Sequence, residues 1–149
     1  EEKVRRTEEM LKLMEIEHLR KANPYDLSGG EQQRLALAKV MVSNPDILLL
    51  DEPTKGLDPF FKQTLGRILR SLCKENKTIF MVSHDIEFCA EFGDRCSMFF
   101  DGEIATSGSA KEFFSGNNFY TTVENKLTRK WCEGIITGEE ARSWIRSLL

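Results

Sequence analysis

Apolar and polar positions change period several times along the chain, and the changes mark its elements. Residues 1–22 are charged, with Val4, Met10, Leu11, Leu13, Met14, Ile16 and Leu19 at mostly helical spacing and no glycine between them. This predicts one helix ending at Asn23-Pro24, because proline disfavours helical backbone at the residue before it. Leu35, Leu37, Ala38 and Met41 give residues 31–42 a second helical period, with Ser28 at the N-cap position and Glu31 completing a capping box. Asn44-Pro45-Asp46 breaks it. Residues 47–50 (Ile-Leu-Leu-Leu) and Thr78–Val82 are short unbroken apolar runs between turn residues. Such runs predict central parallel strands buried on both faces.

Residues 60–75 and 85–92 are predicted helical. Residues 95–100 and 103–107 are predicted to form a hairpin turning at Asp101-Gly102. A helical turn is predicted over 109–115, and a capped helix from Thr137 and Glu140 through Ile145. Strands alternating with helices imply an α/β fold with a parallel sheet.

Composition narrows the function classes. The 149 residues carry a net charge of -3, with 40% hydrophobic and 30% charged residues. No basic face is evident for displacing counterions from a nucleic acid, so no nucleic-acid partner is expected. No apolar run approaches the ~18–20 residues of a membrane span, and no N-terminal signal pattern is seen. Cys73, Cys89, Cys96 and Cys132 are scattered without a CxxC pair, which fits buried free thiols in a reducing cytosol better than a disulfide framework or zinc site.

Three segments can carry chemistry. In Leu27-Ser28-Gly29-Gly30-Glu31-Gln32, two glycines admit close backbone approach and the helix behind them points its N-terminus at the same spot. The plain alternative is a helix cap. In Ile47-Leu48-Leu49-Leu50-Asp51-Glu52, a strand delivers two carboxylates at its C-terminal end, where α/β sheets place ligands. One can hold Mg²⁺ and the next can orient or deprotonate a water. The plain alternative is a solvated acidic loop, against which Pro53 makes a rigid turn. His84 follows the second apolar run and is positioned to reach the same sheet edge and sense a phosphate. His18, on a charged helix without companions, is expected to be solvated.

Taken together these residues resemble the ABC ATPase family over at least residues 1–115. Residues 27–32 are similar to its signature motif, residues 47–52 to its Walker B strand, Gly56-Leu57-Asp58 to its D-loop and His84 to its switch histidine. The resemblance implies a partial P-loop NTPase fold: parallel core strands flanked by helices, with part of the helical signature subdomain. It divides the chain into a signature part (1–43), a catalytic core part (44–108) and a helical tail (109–149). It further implies that Asp51 binds Mg²⁺, Glu52 acts on the attacking water and His84 contacts the γ-phosphate of ATP. Ser28, Gly29 and Gly30, with Glu31 and Gln32 behind them, would serve a nucleotide held by a second ABC ATPase subunit, and Asp58 would lie at that dimer interface.

The family's Walker A pattern, G-x-x-x-x-G-K-[ST], begins at none of the ten glycines, and the glutamine loop is not found either. Without that phosphate cradle the chain is expected to be the C-terminal portion of a cassette, inactive by itself. It is also expected to be poorly stable or to associate through exposed strand edges. Pro24-Tyr25-Asp26, Phe113-Phe114-Ser115-Gly116 and residues 117–131 resemble energy-coupling-factor and cobalt-type importer ATPases. These are cytoplasmic motors that take up vitamins or metal ions through transmembrane partner subunits. The alternatives from other classes are a soluble ABC ATPase of DNA repair or translation, and a non-catalytic interaction fragment.

Overall fold

The computed structural model describes residues 2–116 and 120–148, and residues 117–119 of the tail singled out above lie outside them. Helix α1 (Glu2–Leu13) is laced by ion pairs at helical spacing, Arg5 with Glu2 and Glu9 and Arg6 with Glu2. It stops well before Asn23-Pro24. Glu15 takes a left-handed φ of 58°, its amide donates to the Lys12 carbonyl, and the Ile16 amide donates to that of Leu11. This Schellman closure turns Met14 and Ile16 into the core, at 0% and 1% exposure. A 3-10 turn at Glu17–Leu19 follows, then a second at Pro24–Asp26 whose Tyr25 amide donates to the Asn23 side chain. The long initial helix expected from the spacing is therefore cut short by a local cap that carries neither glycine nor proline.

Helix α2 (Gly29–Val42) packs against α1 and buries Leu37, Ala38 and Met41. Strand β1 (Ile47–Asp51) then runs to helix α3 (Pro59–Lys74), which leads back to strand β2 (Thr78–Val82). The strands pair in parallel, Ile47 opposite Thr78 and Asp51 opposite Val82. Helix α3 buries Phe61, Leu65, Ile68 and Leu69 along one stripe. The expectation of strands buried on both faces is corrected here. Leu48 and Leu50 are buried, whereas Ile47, Leu49, Phe80 and Val82 are 59–75% exposed. Only one side of this two-stranded sheet is covered within the described residues, so side chains of alternate parity face outward.

Glu1–Ser83 and His84–Leu149 form two compact units. In the second, Asp85 caps helix α4 (Ile86–Phe92) by accepting from the Phe88 amide. Strands β3 (Arg95–Phe100) and β4 (Glu103–Ser109) form the expected hairpin. Its two-residue loop has φ of 51° at Asp101 and 81° at Gly102, the pair of positive values that matches the twist of the flanking strands.

Helices α5 (Ala110–Gly116), α6 (Val123–Thr128) and α7 (Gly138–Ser147) complete the unit. Ala90, Ala110, Phe114 and Ile136 form its core. Around α6 the buried side chains are polar: Thr121, Thr122, Asn125 and Thr128. The Thr121 hydroxyl donates to the Phe114 carbonyl, and the Asn125 amide donates to that of Ile135 at 3.1 Å. Among the described residues no helix is long and apolar enough to cross a membrane.

Candidate functional site

The predicted glycine pair is not a loop in front of a helix. Gly29 and Gly30 are the first two residues of α2, and Ser28 caps it from an extended backbone. The Ser28 hydroxyl accepts from the Glu31 amide at 3.4 Å. In return Glu31 Oε2 accepts from the Ser28 amide at 2.8 Å and from its hydroxyl at 2.6 Å. The Ser28 hydroxyl, then its amide, hold the Glu31 carboxyl below the usual glutamate range. Gln32 folds back so that its side-chain amide donates to the Leu27 carbonyl at 2.9 Å. The plain cap is therefore present, with a carboxylate from the chain itself at the positive end of the helix.

His18 is exposed, as expected, but its setting differs from the one read in the sequence. It lies in the 3-10 turn rather than on the first helix, with Nε2 3.9 Å from Glu31 Oε1, so it has a companion in Glu31.

Asp51 ends β1 on the exposed parity shared with Ile47 and Leu49. Glu52 follows it in a left-handed conformation, φ 47°. Its amide donates to the Val82 carbonyl at 2.8 Å, which extends the β1–β2 pairing by one bond. The Lys55 amide donates to the Glu52 carbonyl at 3.1 Å and the Leu57 amide to that of Thr54 at 3.2 Å. These turns, with Thr54 and Leu57 buried, shape the segment that ends at Asp58.

Asp58 has two tasks visible in the structure. Its Oδ1 accepts from the Phe61 amide at 2.9 Å, capping α3 with Pro59 at the first helical position, where proline fits. Its Oδ2 accepts from Arg34 Nη2 at 2.9 Å. The Phe61 amide first, and Arg34 beside it, hold the Asp58 carboxyl below its ordinary range. The Arg34 guanidinium also stacks 3.7 Å from the centre of the buried Phe61 ring and reaches Glu15 at 3.5 Å.

Sequence reasoning missed Arg34 and its neighbour Gln33. Gln33 Nε2 donates to the carbonyls of Glu52 and Pro53 at 3.4 and 3.3 Å. Both residues follow Gln32 on α2, and both donate hydrogen bonds to targets about 19–24 positions away. A run of polar residues on a helix reads as a solvated face, and only the fold shows that this face meets the Asp51–Asp58 stretch.

The structure therefore gathers Ser28–Gln32, Glu52 and Gly56–Asp58 within the first unit through α2. His84 belongs to the second unit, at its first position, two residues past the end of β2, and is exposed.

The model of the ABC transporter family matches residues 1–55. A putative ABC transporter ATP-binding protein of Bacillus cereus is 50% identical over 133 residues, which is 89% of this chain and 24% of that protein. The chain thus spans about a quarter of that relative's length. Among solved structures, cbiO1 from Clostridium perfringens, part of the ABC transporter complex cbiONQ, is 31% identical with a TM-score of 0.66, over 86% of this chain and 50% of that one. A dimeric bacterial ABC transporter cassette is 36% identical with a TM-score of 0.67, over 71% of this chain and 46% of that one.

Proposed function

The chain belongs to the ABC transporter ATP-binding family, and we propose that the complete protein carrying it binds and hydrolyses ATP to power a membrane importer. The observation that carries this reading is the joining of three segments by one helix. The start of α2, the carboxylate pair at the end of β1 and the Gly56–Asp58 turn are tied together by Gln33 and Arg34.

Asp51, an exposed hard-oxygen donor at a strand end, fits the needs of Mg²⁺ carried by a triphosphate. That ion keeps much of its water and takes one or two carboxylates besides phosphate oxygens. Mg²⁺ supplies charge neutralisation at the phosphates when bound. Glu52 orients and deprotonates the attacking water, with its backbone fixed on both sides by Val82 and Gln33. His84 contacts the terminal phosphate.

Ser28, Gly29, Gly30, Glu31 and Gln32 present the helix start to ATP on a second cassette. There a phosphate oxygen competes with Glu31 for the Ser28 hydroxyl proton. Asp58 stands at the interface between the two cassettes. Most of the rate then comes from positioning and charge stabilisation. The likeness to cbiO1, which belongs to a transporter complex, supports separate transmembrane subunits as partners. Uptake of a vitamin or metal ion, with the cassette on the cytoplasmic face of the membrane, follows from the tail resemblance. The 149 residues contain no phosphate-cradle pattern, so this stretch alone is inactive in the proposal.

In the complete protein, Glu52→Gln should retain ATP binding and lower turnover by about 10²–10⁴-fold, the usual contribution of a positioned base. Single-turnover hydrolysis near the wild-type rate would reject the role given to Glu52.

A further inference from the structure

Gly29 and Gly30 stand side by side at the start of α2, yet only one of them lacks room for a side chain. A methyl group on Gly29 would meet nothing within 4 Å, whereas on Gly30 it would lie 2.9 Å from the Gly56 carbonyl oxygen. The obstacle is main chain, which cannot swing aside as a side chain can. Gly56 is glycine for a different reason: its φ is 75°, while a methyl group there would lie in ordinary contact, 3.8 Å from the Gly30 nitrogen. One helical turn further along the same face, Gln33 holds the Pro53 carbonyl at 3.3 Å and Arg34 holds Asp58 at 2.9 Å. Residues 30, 33 and 34 thus grip positions 53, 56 and 58 of the segment that leaves Glu52.

On the ATPase reading above, we infer that Gly30 is a positioning residue acting within its own subunit. Its bare backbone lets α2 and residues 53–58 touch directly, so the two move as one body. A displacement of the α2 start is then transmitted to the chain that carries Glu52 and Asp58. This role is separate from any contact Gly30 makes with a nucleotide, and Gly29 does not share it.

The test compares Gly30→Ala with Gly29→Ala in the complete protein. Amide hydrogen exchange over residues 54–58 without nucleotide should speed up about tenfold or more in Gly30→Ala and stay at the wild-type rate in Gly29→Ala. In ATP hydrolysis, Gly30→Ala should lower kcat about tenfold with KM within about twofold, the mark of lost positioning rather than lost binding. Alanine is the better helix former, so a weakened helix cannot explain such a loss. If Gly30→Ala does not fold, Arg34→Ala leaves the contact between the glycines intact and should still speed exchange at residues 57 and 58. Unchanged exchange in 54–58, or equal acceleration by both glycine variants, would overturn the inference. A wild-type protein without ATPase activity would reject the functional reading instead, and the exchange result would still decide the mechanical one.

Discussion

Helices α2 and α7 open with the same device. Ser28 with Glu31, and Thr137 with Glu140, each form a reciprocal capping box. Ser109 and Glu112 build a third at α5. What differs is what the first turn faces. A side chain at Gly30 would run into the Gly56 main chain, while one at Gly138 would meet only the movable Glu124 carboxylate at 3.5 Å. The cap is therefore a general way to begin a helix and carries no chemistry by itself. The distinction of α2 is bare backbone set against bare backbone, with Gln33 and Arg34 fastening the pair.

Removing each cap hydroxyl is the most direct way to break this parallel. On the proposed function, Ser28→Ala in the complete protein should lower kcat/KM for ATP about tenfold or more, since the proposed hydrogen bond to a charged phosphate would go along with the cap. Thr137→Ala should leave turnover unchanged, and equal losses of turnover in the two variants would erase the distinction. A smaller effect lies in stability. Thr137→Ala should cost about 1 kcal/mol, as loss of an N-cap does, read as a lower urea midpoint at constant slope.

The smallest effect is in acid. Glu31 is held low by Ser28. Burial pushes Glu140 up, but the Ile136 amide, Lys111 and the Thr137 amide outweigh it and leave that carboxyl low as well. A depressed carboxyl contributes stability that is present above its unfolded pKa and lost as pH falls through its folded one. Both helix starts should hold at neutral pH and loosen only below the ordinary glutamate range. Far-UV circular dichroism of Glu31→Gln and Glu140→Gln should show a flattened acid limb in each, and an acid limb as steep as wild type would separate the caps from these carboxyls.

Much of the fold is legible in the sequence where the signal is local. Ser28-x-x-Glu31, Thr137-x-x-Glu140 and Asp101-Gly102 each encode their own geometry within four residues, and all three appear as expected. The end of α1 is not legible, because Glu15 closes it in a conformation that glycine or asparagine usually takes. The run 47–50 is apolar at every position, which hides that Leu48 and Leu50 alone are buried there. Around α6 the pattern is reversed, with Asn125 and Thr128 buried and Val123 and Leu127 exposed, so periodicity gives no usable stripe. In the site, the strand-end acids and the glycine pair announce themselves through neighbours in sequence. Arg34 does not, because its partners come from two distant places along the chain, Glu15 after α1 and the Asp58–Phe61 start of α3.

Glu52 sits where glycine would rest more easily, and left-handed backbone costs a residue with a side chain about 1–2 kcal/mol. A selection for heat resistance alone would therefore enrich Glu52→Gly, along with other relaxations of awkward backbone. Such a winner would be sturdier and, on the proposed chemistry, idle: a position that folding would gladly surrender is one hydrolysis cannot spare.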